Sequence, residues 1–582
     1  ASMGAQHTGR NALDRARERA GKFLGQLPNE SQVTLMVTRD DLAGGTPRAL
    51  IEKARPAEVR SRLTTLSVAY GPNRLDEVFR LAGRNLERMS GRKLVVFVTD
   101  LQRRDWIEEE GRREGLYRAL AALQGAEEEA DRPPVTVLDV GQGDPPNVVV
   151  SEFTIRDGRE AFAGELVGLG ATLVNFGPDE VQGTLTLFRA TGDAGPWEKK
   201  EALDVLVPAT RGIGSPQAHE VAFHEMLPPD SEGPMRFRVA FQASTGASDR
   251  LRVDSDRNLA LIVRPPVRFL PVRSVTSALD LLRDTEGLPV IELGEPIYPE
   301  ALATRELNRV DIIVLADPEM DSFDEAMRAK LERFVRGGGG LLAYLGENAL
   351  PDRVNALFYR ERGQGLFPML LQDAQMHMDE EHPVTIDLSR PGTNEHPLFL
   401  EIEPLLFPSP DYFGYRLVVE DTPDAAVVAR YSDGAPAVLE HQLGRGSVVI
   451  VTTTPDERAF SANGTLLPAA LFFNAAHYLV AQDPGERNVL IGESLRVPLL
   501  SNARNVIVMP PEAAGGRIEE PVESTDKPFV FNGTSFPGFY RFAVRGIAAS
   551  GAAALPVEDI HVAAVNLDAT EGDLRRARPE LL

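Results

Sequence analysis

Residues 94–100 read Leu-Val-Val-Phe-Val-Thr-Asp, five consecutive apolar side chains closed by a hydroxyl and a carboxylate. A run without polar alternation predicts a parallel strand covered by helices on both faces. The flanking segments agree. Leu75, Val78, Phe79, Ala82, Leu86 and Met89 recur at helical spacing. Further upstream, Leu13, Ala16, Ala20, Phe23, Leu24 and Leu27 do the same behind Asn11, an expected N-cap with Asp14 three positions on. Val33–Val37 reads as a further strand. A helix over residues 112–124 and the strand Val135–Val140 complete an α/β unit over residues 1–140.

The pattern changes at Gly141-Gln-Gly-Asp-Pro-Pro146, a linker by composition. Seven short strand-like runs follow: Val148–Ile155, Leu166–Phe176, Gly183–Arg189, Ala202–Val207, His219–Phe223, Met235–Gln242 and Leu259–Val263. Turn residues separate them and no helical period appears, which predicts an Ig-like β-sandwich over 141–265. Alternation of helix and strand returns over 266–483: a strand Val267–Pro271, a helix Ser277–Arg283, a buried strand Val310–Ala316, a helix Phe323–Val335, then Gly337–Gly340 and the strand Leu341–Leu345. Later strands at Ala426–Tyr431, Ala437–Gln442 and Ser447–Thr453 and a helix near 466–481 belong to the same flavodoxin-like α/β domain, around a loop-rich insertion at 346–425. Residues 484–567 read as a C-terminal β-sandwich and 568–582 as a polar tail. The fold class expected is multidomain α/β plus all-β.

The 582 residues contain 86 acidic and 62 basic side chains, a net charge of −24, and no cysteine. Disulfides, zinc-thiolate sites, iron–sulfur clusters and a thiol nucleophile are therefore excluded. The acidic balance argues against nucleic acid as a partner. Residues 1–134 hold 23 basic and 20 acidic side chains, leaving 39 − 66 = −27 for the rest. No apolar run approaches the ~20 residues of a membrane span. The best, Leu466–Ala481, is interrupted by Pro468, Asn474 and His477.

At Val96–Gln102, VFVTDLQ, the first unit resembles a von Willebrand factor A domain. In that family the strand-ending Asp helps to hold a divalent metal with an Asp-x-Ser-x-Ser motif and a Thr from a later loop. Ala1-Ser2-Met3-Gly4 resembles the end of that motif, with Ser2 as its final serine, and Asn73 stands where the Thr would be. On that resemblance the motif's Asp, its first Ser and the family's first strand are missing from this sequence, so the A-type sheet should lack a central strand or borrow one. A partial metal site is implied at Ser2, Asp100 and Asn73. No cofactor is expected, and Mg²⁺ would need the upstream Asp and Ser.

The domain order, with FVRGGGGLLAYLG (334–346), EHQLGRGSVVIVTT (440–453) and AAVNLDATEGDL (563–574), resembles bacterial membrane-anchored proteins of the Bat (aerotolerance regulator) type. Their parts are an A-type domain, an Ig-like (CARDB-type) sandwich, a domain similar to class I glutamine amidotransferases and a terminal β-domain. The resemblance implies membrane helices flanking this sequence, an extracytoplasmic soluble portion at a bacterial cell membrane, and partners among other Bat-type proteins and a MoxR-type AAA+ ATPase. Amidotransferase chemistry needs an activated Cys, which the chain lacks. No Gly-x-Ser-x-Gly follows Leu341–Leu345, and Gly337–Gly340 precedes a strand where a phosphate loop would follow one. The four glycines read as a helix stop.

One other group could carry chemistry. His377 and His382 flank Met-Asp379-Glu380-Glu within the insertion, with His396 beyond, and imidazoles with carboxylates can bind zinc or nickel. The i,i+5 spacing does not share a helix face, and Pro383 and Pro397 keep both segments irregular, so a solvated acidic loop is favoured. The expected function is a non-enzymatic interaction or scaffold protein of the cell envelope. The alternative is a hydrolase using His377, Asp379, Glu380 and His382; convergence of the four on one pocket would select it.

Overall fold

The computed structural model describes the chain apart from residues 1, 8, 41–45, 72, 74, 107–122, 124–132, 157–160, 211–215, 246–248, 274–289, 361–363, 373–375, 401, 403–405, 420–425, 455–459, 462–465, 481–486, 500–501, 526, 549–554 and 578–582. The expected helices at 112–124 and Ser277–Arg283 lie outside the described residues, Leu123 excepted. In the first domain the helix Ala12–Leu24 starts at Asn11, whose side chain accepts from the Asp14 N–H at 2.8 Å. Two elements were not anticipated. The strand Thr46–Ala54 pairs antiparallel with Val33–Asp40, and the helix Pro56–Leu63 starts with Pro at its first turn.

Val95–Thr99 pairs parallel with Val135–Asp139, Val96 opposite Thr136. Among the described residues this pair and the Val33–Ala54 hairpin form separate ladders. Val95–Val98 were expected to be fully covered and are half-buried. Phe97 packs between Phe79 and Trp106, at ring distances of 5.4 and 5.3 Å.

The sandwich sets a five-stranded sheet, ordered Glu198–Val207, Val181–Thr191, Gly233–Ala243, Asp256–Arg264 and Ala161–Phe162, against a three-stranded one of Ala218–Met226, Leu166–Asn175 and Val148–Ile155. Along Leu166–Asn175 every second residue is buried, the period-two signature of a strand with one face on a core. Leu169, Leu173, Leu185, Phe223 and Phe237 fill the space between the sheets.

The third domain is a seven-stranded sheet: Ile291–Leu293, Val267–Arg273, Ile312–Ala316, Gly340–Tyr344 and Gly446–Val451 run parallel, then Pro436–Leu443 and Ala426–Arg430 antiparallel. Ile312–Ala316 and Gly340–Tyr344 are buried throughout, as strands covered on both faces must be. The helix Glu325–Arg336, capped by Asp324 on the Met327 N–H, covers one face with Leu331 and Val335; Leu466–Val480 covers the other with Leu471 and Phe472. Gly337–Gly340 does stop the first helix: Gly338 takes φ +112°, a left-handed conformation that favours glycine. The insertion holds the helix Pro351–Phe358 besides its loops.

The last domain pairs Asn488–Leu490, Leu555–Asn566, Gly538–Ala548, Ala503–Met509 and Ile518–Pro521 in one sheet, beside a ladder of Leu495–Val497 with Phe529–Phe531. Val506, Val508, Tyr540 and Phe542 form its core. The reading of 568–582 as a polar tail is corrected. Gln102 bridges Arg576, Arg103 N–H donates to Arg575 O and Ala577 N–H to Leu101 O, so residues 575–577 lie on the first domain as added strand. Leu574 and Ala577 are buried there, a role invisible in a segment whose other side chains are mostly charged. Among the described residues no helix is long and apolar enough to cross a membrane.

Candidate functional site

The end of Val95–Thr99 gathers the first candidate set. The Ser2 hydroxyl donates to Asp100; burial pushes the Asp100 carboxyl above the ordinary 3.8, with that bond pulling the other way. Asn73 does not join them. Its carbonyl accepts from Thr38 Oγ1 at 2.8 Å and its amide donates to Asp105 Oδ2 at 2.7 Å, so both ends are engaged one turn away. Asp105, which sequence reading passed over, is pushed up to about 6 by burial and by Glu571 beside it. Glu571 comes from the docked tail and pairs with Arg104 at 2.7 Å.

The cavity touching Ser2 and Asp100 is about 30 Å³, room for one water. Arg15 and Arg576 line it, and Arg576 Nε donates to Asp100 O at 3.2 Å. Mg²⁺ takes six oxygens at short range and dehydrates reluctantly. One carboxylate, one hydroxyl already bonded to it, neutral glutamine amides (Gln6, Gln102, Gln142) and two guanidinium groups do not fit such an ion.

The carboxyl edge of the α/β sheet, where open sheets of this kind usually take ligands, holds a tighter constellation. Asp317 follows Ile312–Ala316 at φ +45°; its Oδ1 accepts from Gly346 N–H at 2.8 Å and its Oδ2 from the Asn348 side chain at 3.1 Å. A Cβ at Gly346 would come within 2.6 Å of Asp317 Oδ2, so the close approach demands glycine. Arg416, 2% exposed, reaches in from the insertion and donates to Gly346 O at 2.8 Å and Glu347 O at 2.9 Å. Burial pushes Asp317 up to about 6, against the pull of the Asn348 and Gly346 bonds and the Arg416 charge. The crevice is thus filled by the chain's own groups.

The histidine cluster is spread over the surface. His382, 82% exposed, has Nδ1 3.3 Å from Asp379 Oδ2, and its backbone N–H donates to Asp379 Oδ1 at 2.9 Å. That N–H is the main reason the Asp379 carboxyl lies below its ordinary value. His377 is exposed against Tyr415, with rings 5.0 Å apart, and Glu380 is exposed. No group of three or more metal-ligating side chains assembles among the described residues.

His396 instead sits with Glu440 and Tyr478. Its Nε2 lies 3.2 Å from Glu440 Oε2, which also accepts from the Tyr478 hydroxyl, while its Nδ1 accepts from Leu398 N–H. Burial raises Glu440, but the bonds from His396 and Tyr478 prevail and hold it below its ordinary value. With both ring nitrogens engaged, this triad ties the insertion to the helix Leu466–Val480.

No family model matches the chain, and no curated protein matches it. Among solved structures, a cytoplasmic protein of Salmonella typhimurium is similar at 15% identity, over 37% of this chain and 98% of that one, with a TM-score of 0.29. The CARDB domain of a Pyrococcus furiosus protein is similar at 12% identity, over 21% of this chain and 91% of that one, at 0.17. A β-galactosidase from Bacillus circulans is similar at 14% identity, over 52% of this chain and 41% of that one, at 0.26. Scores this low identify no relative; the multidomain architecture, α/β with a β-sandwich, rests on the sheet topology itself.

Proposed function

We propose that the chain is a non-enzymatic interaction scaffold of the bacterial cell envelope, holding its first domain and its sandwich at fixed geometry for a protein partner. The observation that carries this reading is the way the docked tail joins those domains. Gln102 Nε2 donates to Glu571 O at 3.1 Å and to Asp573 O at 2.7 Å, and Asn147 Nδ2 donates to Gly572 O at 3.0 Å. Domains of one chain move relative to each other by default. Buried side-chain amides bonded across two junctions oppose that motion, because each leaves unpaired polar groups if the junction opens. A fixed spacing between surfaces serves assembly. Following the resemblance, the partners are other Bat-type membrane proteins and a MoxR-type ATPase.

Biolayer interferometry with those partners, purified, tests the reading. A partner binds the native chain, and Gln102→Ala with Asn147→Ala weakens it at least tenfold while circular dichroism is unchanged. Absence of binding, together with hydrolysis of an ester, amide or glycoside that Asp379→Asn or His382→Ala abolishes, would replace the scaffold by the hydrolase.

A further inference from the structure

A cavity of about 400 Å³ lies where the sandwich meets the third domain, within the size range of small-ligand sites. It opens at the amino-terminal edge of the parallel sheet. Val267 begins one strand there, Val310 and Asp311 precede a second, and Gly337–Gly339 precede a third. The opposite edge is the one plugged by Arg416, so the two places share no residue.

The wall is chemically divided. Among the described residues Arg264, Arg268 and Arg333 line it with one carboxylate, Asp311. Arg268 grips Asp311 with Nε at 3.0 Å and Nη2 at 3.1 Å, which fixes both. Arg333 is exposed, donates its Nε to Ala329 O at 3.3 Å, and meets no carboxylate among the described residues. Phe162, Phe334 and Val480 supply the apolar part. The Phe334 ring lies so close to the glycine turn that a Cβ at Gly339 would come within 2.4 Å of it, which leaves flat backbone and ring on that side. Behind Phe162, Glu165 accepts its N–H at 3.1 Å and faces His477 Nε2 at 3.2 Å. The aromatic wall is thereby anchored from both domains.

We propose that this cavity binds a small organic anion, a carboxylate or phosphate head on a flat apolar body, with the head at Arg333 and the body among Phe162, Phe334 and Val480. Guanidinium groups suit planar or tetrahedral oxyanions, and a half-apolar wall needs a ligand with an apolar part. Because the wall is drawn from two domains, the bound ligand also holds them together.

Isothermal titration calorimetry with phenyl phosphate and with benzoate tests this, with phenol and benzamidine as neutral and cationic controls. Binding of either anion at least tenfold tighter than phenol and benzamidine supports the site, and the tighter anion identifies the head. Arg333→Gln, at an exposed position that leaves circular dichroism unchanged, weakens that anion at least tenfold; Val480→Trp fills the cavity and abolishes binding. Neither anion binding, phenol binding as well as the anions, or an unchanged affinity in Arg333→Gln overturns the proposal.

Discussion

Asn147, wholly buried, donates to Asp254 Oδ2 at 2.8 Å and accepts the backbone N–H of Leu251 at 2.9 Å. The same amide holds the tail through Gly572, so one side chain joins the linker, the sandwich and residues 568–577. Burial, and then the negative charge of Asp249, push the Asp254 carboxyl well above its ordinary 3.8. A carboxyl raised in the folded state contributes stability while protonated. That contribution is complete below 3.8 and is lost as pH climbs through the folded value. The melting temperature therefore falls with rising pH over a range starting near 4, and Asp254→Asn, which keeps the acceptor, flattens the decline. Asn147→Ala leaves several buried groups unpaired and costs about 2–4 kcal/mol. Thermal scans against pH check both.

The terminal domain is clasped to the sandwich by two further amides. Asn566 accepts from Asn258 N–H and donates to Asn258 O, each at 2.9 Å; Asn488 does the same with Ala260 at 2.8 and 3.1 Å. These side chains imitate a strand partner for Asp256–Arg264, over the apolar contact of Ala260 with Val562 and Ala564. Asn566→Ala costs about 1–3 kcal/mol and frees the terminal domain. Differential scanning calorimetry then shows its unfolding as a separate, earlier transition.

What could be read beforehand was what is local. The alternation in Leu166–Asn175, the Asn11 cap and the glycine stop after Val335 are set by neighbours within a few positions. Asn147 and Asn566 look like ordinary loop and strand-end residues, because their partners stand 425 and 308 positions away. Arg416 offered no signal either: an arginine in a loop-rich stretch reads as solvated until the Gly346 and Glu347 carbonyls are placed against it. Thr46–Ala54 escaped because charged Arg48, Glu52 and Lys53 break its apolar pattern.

The Asp317–Arg416 clamp predicts its own pH dependence. With its carboxyl raised to about 6, Asp317 contributes stability that is complete below 3.8 and gone once pH has passed about 6. Carboxyl NMR should show a titration midpoint near 6 that Arg416→Ala moves higher, since the neighbouring positive charge is lost. The same substitution removes the donors to Gly346 and Glu347 and costs about 3–5 kcal/mol. Asp317→Asn keeps one of the two acceptors, faces the other donor with its NH2, and removes this part of the pH dependence. A midpoint near 4 in the native chain would show that the Gly346 and Asn348 bonds, not burial, control the group.

Mg²⁺ added to this chain up to about 1 mM gives no binding heat in calorimetry, because a lining with one carboxylate and otherwise neutral oxygens does not replace its water. Arg15 and Arg576 oppose a second positive charge in the same small space. Ser2→Ala should leave that result unchanged and raise the Asp100 carboxyl further, since the hydroxyl is the strongest influence holding it down. A sub-millimolar site that disappears in Ser2→Ala or Asp100→Asn would mean that the Ser2–Asp100 bond opens to admit the ion. In that case Asp100 would titrate lower with Mg²⁺ present than without, a shift that carboxyl NMR resolves in one experiment.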